Sequence, residues 1–233
     1  MKSKISLLFL GRKSCEKTKK IIDFIKTKNI NLDTYLVEKR SDKISKDILN
    51  WSGDYIISFR NLFILPKNLL NRAIKYPINI HPGPPNYRGS GCFNWALYEN
   101  AKYFGVTSHI MDEKIDSGKI IECRRFKIHP KDDLEKLISK THNLALKVTI
   151  DLISGILKHG HDFIEIKLRK FKNEKWSGKN RSIKLIDELQ NIKLNVSKKE
   201  LSRIIRATNF RTFKPYVELY GLKFYFDPSV NKN

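Results

Sequence analysis

Long apolar runs are missing from this sequence, and their absence bears on where the protein resides. A helix that crosses a bilayer needs roughly 20 consecutive apolar residues, and no stretch of the chain approaches that length. The apolar segment Ile5–Leu10 is shorter than the hydrophobic part of a signal peptide, and no small-residue cleavage site follows it. We therefore expect a soluble, cytoplasmic protein without a membrane partner, in which residues 1–10 contain the first β-strand.

Cysteine is also scarce. The chain has three cysteines, Cys15, Cys92 and Cys123, which are widely spaced and form no CxxC pair. Paired cysteines are the usual sign of a structural zinc site or of a disulfide framework, and neither is indicated here. The pattern suits a reducing cytoplasm, and the sequence predicts no metal.

Acidic residues are few, at 24 against 46 Lys and Arg, so the formal net charge is +22. Clustered basic residues neutralise phosphates, which makes a nucleic-acid-binding protein one hypothesis. The charge is spread, however, with every stretch of about fifty residues net positive, and lysine supplies 34 of the basic residues. Scattered lysine is more typical of a solvated surface than of a groove that binds phosphates through arginine. Nucleic-acid binding is therefore the less favoured alternative.

The chain does have enough apolar material for a folded protein, because hydrophobic residues make up 40% and aromatic residues 11% of its 233 residues. That length allows one substantial core with a modest appendage. We predict a catalytic domain over residues 1–160 and a small C-terminal region over residues 161–233.

The first part of the chain alternates between strand and helix patterns. Strands are predicted at Ile5–Leu10, Asp33–Val37 and Asp54–Phe59, and a helix at Cys15–Lys28 with Ser14 as its N-cap. This alternation is typical of βαβ units in a parallel sheet.

The pattern continues toward the middle of the chain. Leu65 and Pro66 open a short helix, and strands are predicted at Tyr76–Ile80, Gly105–Met111 and Lys119–Ile128. A long helix follows over residues 132–158. The fold class is therefore α/β, with a mostly parallel sheet.

The C-terminal region changes in composition after Gly160. Ser197 and Glu200 form a capping box, which predicts a helix that starts at residue 197. The segment Tyr216–Phe226 reads as a β-hairpin with Gly221 in its turn. We predict a small α+β appendage.

Two predicted loops carry the candidate chemistry. Asn79 and His81 end a strand two residues apart, so their side chains project to the same side. The loop that follows is rich in Pro and Gly, and ligands of open α/β sheets bind beyond such strand ends. Asp116 lies on a second loop, which Gly118 closes. Taken alone, each of these residues could simply hydrogen-bond its own loop.

Several motifs occur in a defined order around these residues: ISF (57–59), ILP (64–66), NIHPG (79–83), YRG (87–89), GVTSHIMD (105–112) and DSGKII (116–121). Together they closely resemble the formyltetrahydrofolate-dependent formyltransferase family. The resemblance covers residues 54–128 well and the rest of the chain loosely. It implies a doubly wound, Rossmann-like fold.

The resemblance also implies a catalytic set, namely Asn79, His81 and Asp116. His81 is the candidate general base for an attacking amine. Asn79 would donate a hydrogen bond to the oxyanion, and Asp116 would hold His81 and stabilise its imidazolium form. His109 is a further candidate, although a hydrogen-bonded structural histidine is the favoured interpretation at its strand position.

The family's co-substrate, N10-formyltetrahydrofolate, is expected between segment 59–66 and loop 112–116, in a mostly apolar slot without metal. The predicted cofactor contacts are Phe59, Ile64, Leu65, Met111 and Asp112. The predicted substrate contacts are Arg60, Pro82, Gly83, Tyr87 and Arg88.

Three branches of the family differ in their acceptor amine. The methionyl-tRNA enzyme carries a full C-terminal barrel, for which residues 161–233 look short, and the purine enzyme has a phosphate loop that residues 11–15 match weakly. A folate deformylase shares the catalytic residues but adds an N-terminal regulatory domain. The Gly83-Pro84-Pro85 loop departs from the commonest members and is closer to the sugar N-formyltransferases.

We therefore expect a sugar N-formyltransferase acting on a nucleotide-linked amino deoxysugar, with dTDP as the expected nucleotide, for surface polysaccharide such as lipopolysaccharide O-antigen. A methionyl-tRNA formyltransferase-like enzyme is the alternative. Whether the chain forms a homodimer is left open by the sequence.

Overall fold

The computed structural model describes residues 4–177, 180–211 and 213–227. The strands are β1 (Ile5–Arg12), β2 (Ile30–Val37), β3 (Gly53–Phe59), β4 (Ala73–His81), β5 (Tyr103–Ile110), β6 (Ile120–Lys127), β7 (Tyr216–Leu219) and β8 (Leu222–Tyr225). The helices are α1 (Glu16–Lys26), α2 (Lys46–Leu49), α3 (Lys67–Leu70), α4 (Cys92–Tyr98), α5 (Leu134–His159), α6 (Asp162–Lys170), α7 (Ile183–Gln190) and α8 (Lys198–Thr208).

Six strands form one sheet in the order β2-β1-β3-β4-β5-β6. The pairs β1–β2, β1–β3 and β3–β4 are parallel, and β5 joins β4 antiparallel. The predicted α/β class with a mostly parallel sheet is confirmed.

Helices cover both faces of this sheet because side chains alternate along its central strands. Leu7 and Phe9 of β1 pack in one hydrophobic cluster with side chains of α1 and α5. Leu8 and Leu10 point the other way and pack with Leu69 of α3 in a second cluster. This two-sided burial explains why β1 reads as a continuous apolar run.

The chain divides into two compact units, each built from three segments. The first comprises Met1–Pro85, Gly105–Arg125 and Thr141–Trp176, and the second comprises Asn86–Phe104, Phe126–Lys140 and Ser177–Asn233. The sequence instead predicts one boundary at residue 160. A boundary predicted from composition along the chain divides it once, whereas each of these units is assembled from three separate segments.

Helices form the interior of the second unit. Ala96 and Leu97 of α4 share a hydrophobic cluster with Leu137 and with Ala207 of α8. The Asn94 side-chain amide donates to the Ala207 carbonyl at 2.7 Å. The sequence does not predict α4, which follows the Pro- and Gly-rich loop directly.

The predicted C-terminal elements are confirmed. The Ser197 hydroxyl accepts a hydrogen bond from the Glu200 N–H at 3.2 Å and caps α8. β7 and β8 form the antiparallel hairpin, and Gly221 has the positive φ of 77° that its turn requires.

One predicted cap is wrong. Cys15, not Ser14, is the N-cap of α1. The Ser14 hydroxyl instead donates a hydrogen bond to Glu38, just after β2, at 2.6 Å. Ser14 therefore does not cap the helix.

Candidate active site

Two polar side chains end strand β4 on the same side. Asn79 and His81 are two residues apart in the strand, so both project in one direction. Within the sheet, Asn79 pairs with Ser58 of β3 and with His109 of β5. Only 4% of His81 is exposed. Because β4 is paired with a strand on each side, the backbone positions of Asn79 and His81 are fixed by the sheet.

The loop between β5 and β6 brings a carboxylate to this strand end. Asp116 is buried, and its φ of 49° is a left-handed conformation that is uncommon for a residue other than glycine. Gly118 passes so close to β5 that an added Cβ would lie 1.8 Å from the Ile110 carbonyl oxygen. Glycine is therefore required at 118, and this close approach shapes the loop that carries Asp116.

Asp112 stabilises the same loop. Its Oδ1 accepts hydrogen bonds from the Lys114 N–H and from the Ser117 hydroxyl, both at 2.7 Å. Burial raises the pKa of Asp112, but these hydrogen bonds and the charge of Lys114 outweigh burial and hold the pKa below its usual value. Asp112 is thus an ionised residue that organises the loop.

The Asp116 carboxylate lies between two imidazole rings. Its Oδ2 is 3.2 Å from Nδ1 of His81, and its Oδ1 is 3.5 Å from Nε2 of His109. Beside His81, the Asp116 carboxylate stabilises the imidazolium form. Because His81 meets Asp116 through Nδ1, its Nε2 lies on the side of the ring away from the carboxylate. This is the arrangement of a general base that a carboxylate orients.

His109 holds the amide of Asn79. Its Nδ1 is 2.9 Å from the Ile110 carbonyl oxygen, which can only accept, so Nδ1 carries the hydrogen. In the neutral ring Nε2 is then an acceptor, and the Asn79 Nδ2 donates to it at 3.2 Å. The predicted hydrogen-bonded histidine is confirmed, but its bonds lie within the candidate site. Strand pairing across β4 and β5 is the signal that could have found it.

Trp176 contacts the same residues. Its indole Nε1–H donates to the Gly118 carbonyl oxygen at 2.7 Å. Its ring centroid is 5.6 Å from that of His81 and 4.9 Å from that of His109, with nearly perpendicular planes. The sequence places residue 176 in the C-terminal region, where no pattern signals this contact. We call Asn79, His81, His109 and Asp116 the Asp116 cluster.

The predicted cofactor residues separate into two groups. Met111 and Asp112 line an open groove of about 430 Å³, together with residues of segment 67–77. Leu65 lies in the hydrophobic cluster against which Met111 also packs, Phe59 lies in another cluster, and Ile64 is 70% exposed. These three residues do not line the groove.

Pro82 and Gly83, which the sequence predicts as substrate contacts, directly follow His81. The Gly83 carbonyl oxygen accepts a hydrogen bond from the Thr107 hydroxyl of β5 at 2.7 Å. The start of the loop is therefore tied to the neighbouring strand.

Tyr87 and Arg88 belong to the second unit. Tyr87 is buried, and its hydroxyl donates to Glu99 at 3.0 Å. Burial and this bond raise its pKa. The Arg88 carbonyl oxygen accepts from the Arg181 N–H at 3.4 Å. Tyr87 thus uses its hydroxyl inside its own unit.

Arg60, at the end of β3, has a φ of 53°, and its Nη1 is 3.2 Å from the Cys15 Sγ. Burial raises the pKa of the Cys15 thiol, but hydrogen bonds from Thr18 and the Arg60 charge outweigh burial and lower it. Burial, then Arg60 and Lys17, lower the pKa of His142 to about 3. We call Cys15, Lys17, Arg60 and His142 the Arg60 cluster.

In residues 4–177, 180–211 and 213–227, no group of three or more His, Cys, Asp or Glu is arranged to hold a metal ion. Across the same ranges, every helix is too short or too polar to span a bilayer.

A family model described as Formyl transferase matches residues 8–153. The methionyl-tRNA formyltransferase of Buchnera aphidicola subsp. Schizaphis graminum is 30% identical over 173 residues, which cover 74% of this chain and 52% of that protein. The chain thus spans about half the length of this curated relative.

Solved structures share the fold over nearly the whole chain. A sugar N-formyltransferase from Shewanella sp FDAARGOS_354 has a TM-score of 0.72 at 20% identity, covering 95% of this chain and 96% of that one. An N-formyltransferase from Helicobacter canadensis, in complex with folinic acid and dTDP-3-aminofucose, has a TM-score of 0.65 at 16% identity, covering 94% and 86%. At these identities the likeness shows the fold.

Proposed function

The chain belongs to the formyl transferase family, and from that premise we propose that it transfers a formyl group from N10-formyltetrahydrofolate to the amine of a nucleotide-linked amino sugar. The observation that carries the proposal is the 3.2 Å contact of His81 with Asp116, beside Asn79 at the end of β4. Amine acylation needs a proton acceptor, a group that orients it, and a donor for developing negative charge.

His81 serves as the general base. The amine nitrogen attacks the formyl carbon, a new C–N bond forms, and the C–N bond to N10 of the folate breaks. His81 takes one proton from the attacking nitrogen and gives one to N10 as it leaves, so His81 ends the reaction neutral. Asp116 stabilises the imidazolium while His81 holds the proton.

Asn79 stabilises the formyl oxygen, which becomes negatively charged as the amine attacks. Its amide has two N–H donors, and His109 accepts from this amide group at 3.2 Å. That bond fixes the amide plane, and in this orientation the second N–H serves the oxygen. A donor fixed in advance needs no reorganisation when the charge develops.

The groove beside the Asp116 loop is the proposed site of the folate. Leu70 and Met111 give it apolar lining, and its charged lining consists of Lys67 paired with Glu113, together with Lys75 and Asp112. A flat heteroaromatic ring packs well on apolar side chains, and Lys75 suits a carboxylate of the folate tail. The Helicobacter canadensis protein is in complex with folinic acid, which supports a folate as the donor.

Two observations support an amino sugar nucleotide as the acceptor. The fold likeness to the Shewanella sugar N-formyltransferase covers 95% of this chain, including most of the C-terminal region. The Helicobacter canadensis protein is in complex with dTDP-3-aminofucose. We therefore take a dTDP-linked amino deoxysugar, made for surface polysaccharide, as the acceptor.

Methionyl-tRNA is the second candidate acceptor. The Buchnera relative is 30% identical, and a net charge of +22 would favour a polyanion. Scattered lysine is weaker support than a basic groove would be.

A competition assay separates the two acceptors. The purified protein is given formyl donor with a panel of dTDP- and UDP-linked amino sugars and with methionyl-tRNA, and products are identified by the mass of one added formyl group. Formylation of an amino sugar nucleotide well above methionyl-tRNA is expected. Equal or faster formylation of methionyl-tRNA would refute the amino sugar as the acceptor.

A further inference from the structure

Trp176 is an aromatic residue whose surroundings are those of a site and not of a core. Its indole contacts two imidazole rings and the carbonyl oxygen of Gly118. None of the three hydrophobic clusters found among the described residues includes it. Trp176 is half-buried.

We propose that Trp176 is a positioning residue for formyl transfer, which fixes the ring planes of His81 and His109 and ties the Asp116 loop to them. The inference rests on the function proposed above for the Asp116 cluster. Trp176 itself moves no proton and forms no bond to the substrate.

The hydrogen bond to Gly118 acts on the loop. Gly118 is two residues beyond Asp116, whose left-handed backbone must be held by its surroundings. The Gly118 carbonyl is buried, and the indole N–H satisfies it at 2.7 Å. Loss of this donor would loosen the segment that points the carboxylate at His81.

The ring contacts act on the histidines. A perpendicular aromatic pair is a preferred geometry and restricts rotation of both rings. The planes of Trp176 are at 75° to His81 and 87° to His109. Rotation of His81 would break its Nδ1 contact with Asp116, and rotation of His109 would release the Asn79 amide. The indole of Trp176 thus helps to hold both the His81–Asp116 contact and the His109–Asn79 contact.

Three variants test the proposal. Trp176→Ala removes the ring contacts and the hydrogen bond, whereas Trp176→Phe keeps a ring and removes only the indole N–H. Trp51→Phe is the matched control, because the Trp51 Nε1–H donates to Asp33 at 2.9 Å, away from the Asp116 cluster. Circular dichroism confirms that each variant is folded.

The expected activity result is a fall in kcat of about tenfold to a hundredfold for Trp176→Ala, because small misplacements of catalytic groups cost that much. KM for the acceptor should change by less than about threefold, since ground-state binding is not affected. Trp176→Phe should show a smaller fall in kcat, and Trp51→Phe should match the wild type. A wild-type kcat in Trp176→Ala would overturn the proposal.

A second readout is independent of activity. Trp176 fluorescence, obtained as wild type minus Trp176→Phe, should fall as the pH is lowered, because a protonated imidazole quenches nearby indole emission. In the total tryptophan fluorescence, the pH-dependent change should persist in the Trp51→Phe variant and be absent from the Trp176→Phe variant. A change of the same size in Trp176→Phe would overturn the proposal. If the wild type formylates no amine, the proposed function fails, while this titration still decides whether Trp176 contacts the histidines.

Discussion

The Asp116 cluster and the Arg60 cluster each hold a histidine, His81 buried and His142 half-buried, and the two histidines meet opposite charges. His81 lies 3.2 Å from the Asp116 carboxylate. His142 faces Arg60 and Lys17, and burial together with these cations lowers its pKa to about 3. His81 is therefore suited to take up a proton, and His142 stays neutral. Burial is the largest cause of the lowered pKa of His142, and the charges of Arg60 and Lys17 act in the same direction.

The two clusters share an unusual backbone conformation. Asp116 and Arg60 both have left-handed backbones, with φ of 49° and 53°. Such conformations are uncommon away from glycine and tend to occur at functional sites. The Asp116 cluster places a carboxylate beside its histidine, and the Arg60 cluster places two cationic side chains near its histidine. The first unit therefore carries both signs of charge near these two histidines.

The largest expected effect separates the two histidines. His81→Asn removes the proposed base and should lower kcat by about 1,000-fold, whereas the matched His142→Asn should stay within about threefold of wild type. Steady-state rates of both variants check this. Comparable losses in the two variants would remove the distinction between the clusters.

Asn79→Ala should follow in size. Loss of one preorganised donor to an oxyanion lowers turnover by about 100- to 1,000-fold. KM should be nearly unchanged, because the charge on the formyl oxygen develops only in the transition state. A variant with raised KM and unchanged kcat would make Asn79 a binding residue and not a catalytic one.

Asp116→Asn should lower kcat by about 100-fold, because the amide cannot stabilise the imidazolium of His81. Asparagine tolerates a left-handed backbone, so the melting temperature should be close to wild type. Asp116→Ala should lower both kcat and melting temperature. A fall of tenfold or less in the asparagine variant would reduce Asp116 to a turn residue.

The smallest effect concerns the Arg60 cluster and stability. The pKa of His142 is about 3 in the folded protein against the ordinary 6.5. Between these values the unfolded chain binds more protons, so stability present above pH 6.5 is lost as pH falls, by up to about 1.4 kcal/mol per pH unit.

Urea unfolding at pH 7, 6 and 5 measures this loss. The free energy of unfolding should fall more steeply with decreasing pH in the wild type than in His142→Asn. Parallel curves would show that the Arg60 cluster does not hold His142 neutral.

Much of the sheet can be predicted from sequence because buried parallel strands leave plain signals. The pattern locates β1, β3 and β4, and the spacing of Asn79 and His81 follows from strand alternation alone. The role of Asp116 rests on family resemblance. Its left-handed backbone depends on how closely Gly118 passes Ile110, which no local pattern encodes.

Other features depend on contacts between distant segments. Trp176 reaches the Asp116 cluster from a polar stretch nearly sixty residues beyond Gly118. His109 reads as an ordinary strand residue until β5 is placed antiparallel beside β4. The Ser14 cap fails because Glu38 competes for the hydroxyl.

The most direct test of the account is a double-mutant cycle on kcat/KM between His81 and Asp116. If the two act as one unit, Asp116→Asn should cost little once His81 is already asparagine, because the carboxylate then has no imidazolium to stabilise. The account predicts that the double variant is about as slow as His81→Asn alone. Losses that multiply in full would contradict it.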